Sequence, residues 1–154
     1  MSFAGRPNVS DDLVWEIARA QNAFLVKRAS GGGAQFSRDP LNLVNKNSRK
    51  YAGFVNSKAV GVQATEDGNI AVITKKPAAS QQPTPVTNTY GATTTSRKIY
   101  KGVANTAASN KYRPDLRAEA VSRASAIRKS QRPKKDTREK KPRGAKARKA
   151  EESS

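Results

Sequence analysis

The chain contains no cysteine and no histidine. Without thiolates or imidazoles it forms no disulfide and no ordinary structural zinc site, and it has no Ser-His or Cys-His nucleophile pair. Bulky apolar residues are scarce too: Val, Ile, Leu and Phe number 25 of 154. That share, beside a formal charge of +18, is the composition of a disordered chain. No apolar run approaches the length of a membrane span, and the opening residues Met1 to Arg6 carry no hydrophobic signal region. The 12 carboxylates are scattered, and the pairs Asp11-Asp12, Glu66-Asp67 and Glu151-Glu152 fall in turns, caps or the terminus rather than in a buried acid–base site. The sequence therefore points to no enzyme, no cofactor, no metal and no small-molecule substrate.

Positive charge is abundant and unevenly spread. Residues 1–110 hold 14 Lys/Arg against 6 Asp/Glu, whereas residues 111–154 hold 16 against 6. Such asymmetry points to a polyanionic partner. A membrane surface would require bulky apolar anchors beside the charges, and none follows Ile127, so nucleic acid is the better partner. The apolar residues are uneven in the opposite sense. Of the 25, 17 lie between Leu13 and Ile73, which predicts a small core in the first half and little to bury in the second.

Ser10 before Asp11 and Asp12 reads as a helix start, with the acids at the positive end of the dipole. Leu13, Val14 and Ile17 make one apolar stripe, with Trp15 at its flank. Phe24-Leu25-Val26 reads as a strand, and Gly31-Gly32-Gly33 as a flexible loop without the following Lys-Ser/Thr of a phosphate cradle. Asp39-Pro40 opens a short turn. Tyr51–Val55, Ala59–Ala64 and Asn69–Lys75 are strand candidates, the last two joined by the hairpin signal Glu66-Asp67-Gly68-Asn69. The economical arrangement packs the first helix on one face of that antiparallel sheet. Pro77 to Pro85 has linker composition, and Thr87 to Ser96 reads as weakly structured. A helix is expected over Ser96–Ala108, with Ile99, Val103 and Ala107 on one side. Another begins at Pro114, where a missing N–H costs nothing.

On this last helix Leu116, Ala120, Ala124 and Ile127 share a narrow stripe, edged by arginines. Alanine burial yields little, so the helix reads as a poor autonomous packer whose guanidinium groups suit phosphates. From Arg132 to Lys149 there are ten Lys/Arg and two acids. Such a segment cannot offset the entropy of ordering itself, and takes a shape only along a polyanion. Tyr51 and Tyr112 each sit among cations, where stacking on a base and packing under the local loop carry equal weight.

Four ordered blocks carry a family resemblance. They are Trp15, Arg19 and Phe24 to Arg28; Phe36-Ser37, Pro40, Asn42-Leu43, Asn47-Ser48 and Tyr51-Gly53; Lys58 with Val60-Gly61-Val62; and Asn110 to Arg117 with Arg123 to Ile127 and Ser130-Gln131. In these blocks the chain resembles the eukaryotic large-ribosomal-subunit protein family numbered twenty-eight. The resemblance implies a non-enzymatic part of the 60S subunit with large-subunit rRNA and neighbouring ribosomal proteins as partners. It also implies work in the cytoplasm after nucleolar assembly. A nucleolar biogenesis factor and a general chromatin or DNA-binding basic protein are the alternatives.

The expected fold class is α+β: a small antiparallel sheet with one packed helix, then a two-helix basic extension and an extended C-terminal tail. The expected division is an RNA-docking domain over 1–76, a linker over 77–95, a helical extension over 96–131 and a basic tail over 132–154. Candidate RNA-binding residues are Lys27, Arg28, Lys46, Arg49, Lys50 and Tyr51 in the first part. Lys111, Tyr112, Arg113, Arg117, Arg123, Arg128 and Lys129 follow in the helical part, and Arg132, Lys134, Lys135, Arg138, Lys140, Lys141 and Arg143 in the tail.

Overall fold

Ser10 starts the first element as its residue type requires: its hydroxyl oxygen accepts from the Leu13 N–H at 3.2 Å and caps helix α1, Asp11–Ala18. The computed structural model describes residues 9–30, 32–75, 85–134 and 143–145. The expected linker from Pro77 to residue 84 and the tail cations Lys135, Arg138, Lys140 and Lys141 lie outside the described residues.

Strands β1 (Leu25–Lys27) and β2 (Gln35–Ser37) form an antiparallel ribbon in which Val26 faces Phe36. The loop between them passes through Gly32 and Gly33, both at positive φ (75° and 71°), where a side chain would be strained. A second sheet has the order β3-β4-β5, all antiparallel, from Val60–Ala64, Ile70–Lys75 and Pro85–Tyr90. Its first turn sits at the expected hairpin: Gly68 has φ 72°, and its N–H donates to Thr65 O at 3.1 Å. Helix α2 spans Ser96–Ala108, a tight 3-10 turn follows at Ser109–Lys111, a second spans Pro114–Leu116, and α3 runs Arg117–Ser130.

The α+β class with a small antiparallel sheet holds. The helices that cover the sheet are not the expected one. Val60, Val62, Ile70 and Val72 alternate onto one face of β3 and β4, each at most 1% exposed. Against them pack Ile99, Val103 and Ala107 from α2, and Leu116, Ala120 and Ala124 from the last turn and α3. Helix α1 instead buries only Val14, in a separate cluster with Ala52 and Val55. Leu13 and Ile17 of its stripe stay 51% and 72% exposed. The reason is one of supply. An eight-residue helix offers a single buried position, whereas α2, α3 and the 3-10 turn that leads into α3 bring six buried side chains. Small alanines also let α3 lie close on β3, so that sparse apolar area is still fully removed from water.

Two further local differences have local causes. Tyr51–Val55 is a succession of turns rather than a strand. Ala52 N and Asn56 N donate to Ser48 O and Ala52 O, and Asn56 Nδ2 returns to Ala52 O at 2.8 Å. Gly53 fits there because a Cβ would overlap Leu41. Residues 85–90, expected to fall within the 77–95 linker and to be weakly structured from Thr87 onward, make the edge strand β5. Pro85 stands at its first position and threonines face outward, both suited to an edge.

Candidate nucleic-acid interface

A basic chain must decide which cations hold the fold together and which remain for a partner. The structure separates them. Arg113 forks onto Asp115, with Nε to Oδ1 at 2.9 Å and Nη2 to Oδ2 at 2.8 Å. The same guanidinium donates to Lys58 O at 2.9 Å and Lys50 O at 3.1 Å. Arg123 ties α3 to the sheet, donating to Val62 O at 3.1 Å, Leu43 O at 3.4 Å and Asn45 Oδ1 at 3.1 Å. Arg128 donates to Ala92 O and to Thr94 O, the latter at 3.3 Å. Arg49 pairs with Asp12 at 2.8 Å and donates to Asn56 Oδ1. These arginines therefore serve as bridges between distant segments, a use of the planar donor fork that needs no phosphate.

Lys50 and Tyr51 meet on Glu119 of α3. Lys50 Nζ lies 3.3 Å and the Tyr51 hydroxyl 3.0 Å from Glu119 Oε1. Glu119 is held below its ordinary carboxylate range, first by its own backbone N–H and then by the Tyr51 and Lys50 donors. Lys50 is raised by the hydrogen bond to Glu119. The Tyr112 hydroxyl donates to the carbonyls of Ala59 and Lys75, and burial pushes its pKa up. Both tyrosine rings pack against the main core, so of the two weights given them, packing is what the geometry carries.

Three residues that sequence reading passed over organise the loops beside these groups. Asn42, 1% exposed, accepts from Val44 N at 3.1 Å and Asn45 N at 2.8 Å and donates to Lys46 O at 2.8 Å. Asp39, 4% exposed, accepts from Leu41 N and Phe54 N, each at 2.9 Å. Lys75 is buried with its Nζ on Gly53 O at 3.2 Å and Asn56 O at 2.7 Å, and desolvation lowers its pKa. The Asp39-Pro40 turn signal was the one visible trace of the second. A lysine ending a strand gives no signal that it turns inward.

The other candidates stand clear of these bonds. Lys27, Arg28 and Lys46 lie exposed on and beside the β1–β2 ribbon. Lys111, Arg117, Lys129, Arg132 and Lys134 are exposed around the helical end, and Arg143 is exposed further on. Among the described residues none of these side chains makes a hydrogen bond or ion pair. They are thus two groups of unneutralised charge, well separated in the sequence. Among the described residues there is no cluster of acids able to hold a metal ion.

The internal pairs set a pH limit. Asp115 is held low chiefly by the Arg113 hydrogen bond, and Glu119 is held low as described. Because their folded pKa values lie below the unfolded ones, the stability they add is present above the ordinary carboxylate range and is lost as pH falls through the folded values. The urea midpoint should therefore drop below about pH 4, and Glu119→Gln should flatten part of that drop. A midpoint independent of pH there would contradict the assignment.

Residues 13–130 match the Ribosomal L28e protein family. The chain is 45% identical over 130 residues to large ribosomal subunit protein eL28 of Schizosaccharomyces pombe, covering 83% of this chain and 97% of that one. It is 38% identical over 117 residues to the protein of the same name from Dictyostelium discoideum, covering 75% and 83%. With the Caenorhabditis elegans protein of that name it shares 42% identity over 67 residues, 44% of this chain and 52% of that one. The matched span opens inside α1 and closes on Ser130, the last residue of α3; by that match and the two long alignments, the chain belongs to the ribosomal L28e protein family.

Proposed function

We propose that this protein scaffolds large-subunit rRNA in the cytosolic ribosome, neutralising phosphates with the cations that its fold leaves unused. Membership of a ribosomal protein family makes it a structural component and not an enzyme. The observation that carries the RNA reading is the separation of charges. Arg49, Lys50, Arg113, Arg123 and Arg128 are bound internally, while Lys27, Arg28, Lys46, Lys111, Arg117, Lys129, Arg132, Lys134 and Arg143 are exposed without a partner among the described residues. Unpaired surface cations in such number repel one another until phosphates replace their counterions.

In this reading Arg113, Arg123 and Arg128 act indirectly, by fixing the head that presents the exposed set. The tail cations Lys135, Arg138, Lys140 and Lys141 extend that set along the RNA, without reading its bases. Neighbouring ribosomal proteins are partners, and the chain passes through the nucleolus for assembly.

Joint replacement of Arg117 and Lys129 by Glu tests the reading. Both side chains are exposed and unbonded among the described residues, so the fold should persist while the tagged protein shifts severalfold from large-subunit to free fractions on a sucrose gradient. Normal loading of that variant would refute the role given to α3. Absence of the unaltered protein from large-subunit fractions, with nuclease-sensitive chromatin association, would refute the reading as a whole.

A further inference from the structure

Phe36 is an aromatic in the wrong place for a core residue. It sits at the centre of β2 and is 40% exposed. Its strand neighbour Ser37 is 5% exposed, so the ribbon has an inner face and Phe36 occupies the outer one. Directly across the ribbon stands Val26, and on the other side Phe36 bridges to Lys46. Pairing continues beyond the strand ends, through Arg28 N to Ala34 O at 3.0 Å and Arg38 N to Phe24 O at 2.8 Å. Residues two apart on a strand share a face, as do direct cross-strand partners. The Phe36 face therefore also carries Phe24, Arg28 and Arg38.

An exposed ring is thus bordered by three exposed cations, Arg28, Arg38 and Lys46. Ala34, small, leaves room beside it. The nearest acid in sequence, Asp39, is turned inward and spent on the Leu41 and Phe54 amides. Among the described residues none of the three cations has an ion pair. An apolar protein segment would find only Phe24, Val26 and Phe36 on this face, with Phe24 already packed on the Phe54 ring, and would bury three charges. A nucleotide supplies what the face lacks: a flat π surface for the ring and phosphates for its rim.

We propose that Phe36 is a stacking platform for an unpaired RNA base, with Arg28, Arg38 and Lys46 holding the phosphates that flank it. The proposal rests on the rRNA-binding reading and adds to it a preference for bulged or single-stranded RNA, because a paired base offers no free face.

The test uses the full chain and two probes: a short unstructured A/U single strand carrying one 5-iodouridine, and a fully paired RNA duplex of the same length. Phe36→Leu should weaken single-strand binding at least about fivefold while changing duplex binding little, and Phe36→Tyr should retain it. Irradiation of the unaltered protein should place a cross-link on Phe36. Single-strand affinity unchanged in Phe36→Leu overturns the proposal, as do cross-links found only elsewhere; the cross-link decides alone if Phe36→Leu does not fold. If Phe36→Leu binds both RNAs normally yet fails to enter large subunits, the ring is a protein contact and the proposal is overturned. Duplex binding that survives these failures leaves the rRNA reading standing, whereas no binding of either probe by the unaltered protein overturns both.

Discussion

A chain cut after residue 95 is expected to lose its cooperative unfolding transition. The cut removes α2 and α3, and with them the cover over Val60, Val62, Ile70 and Val72, each at most 1% exposed in the whole protein. Burial of one such side chain contributes about 1.5–3 kcal/mol. Four of them amount to on the order of 6–12 kcal/mol, the scale of a whole domain's stability. Arg123 and Arg113, which reach back from the helical part to Val62 O and Lys58 O, are lost in the same cut. Urea titration followed by circular dichroism checks this. A truncated chain that unfolds with the midpoint of the intact one would make the helices passengers on a self-sufficient sheet.

Enlarging α3 where it meets the sheet should be almost as damaging. Ala120 and Ala124 are fully buried, and their smallness sets how closely α3 approaches the β-sheet. Ala124→Leu must push α3 outward or force strained rotamers, at a cost of about 1–3 kcal/mol or more. The same change at Ala126, exposed on the opposite side, should cost no more than about 0.5 kcal/mol. Equal thermal midpoints for the two variants would show that the alanine stripe does not lie against the core.

That stripe also explains what could and could not be read in advance. Elements with a clear period or cap were legible. Ser10 started α1, Ile99, Val103 and Ala107 marked the buried side of α2 over its full span, and Gly68 marked the hairpin. What covers the sheet was not legible, because apolar content was weighed by side-chain size. An alanine row buries little area per residue but permits close approach, and the summed burial of α2 with α3 exceeds what α1 offers. The expectation that the second half has little to bury was therefore wrong for α2 and α3.

The candidate interface was legible in its charge and not in its division of labour. Arg113 and Arg117 look alike in sequence. One is locked onto Asp115 and the Lys58 and Lys50 carbonyls, and the other is exposed without a bond among the described residues. The difference lies in partners from residues 50 and 58, which only folding brings near. Lys75 is the converse case. It looks like a surface cation at the end of a strand, yet caps the carbonyls of Gly53 and Asn56 from inside.

The salt dependence of binding to large-subunit rRNA tests the central claim most directly. With about ten phosphates neutralised by the exposed cations, log affinity should fall against log salt with a slope of about −7 to −9. A slope flatter than about −2 for the isolated protein would mean that the unpaired charges do not meet the RNA backbone, and the account would fail.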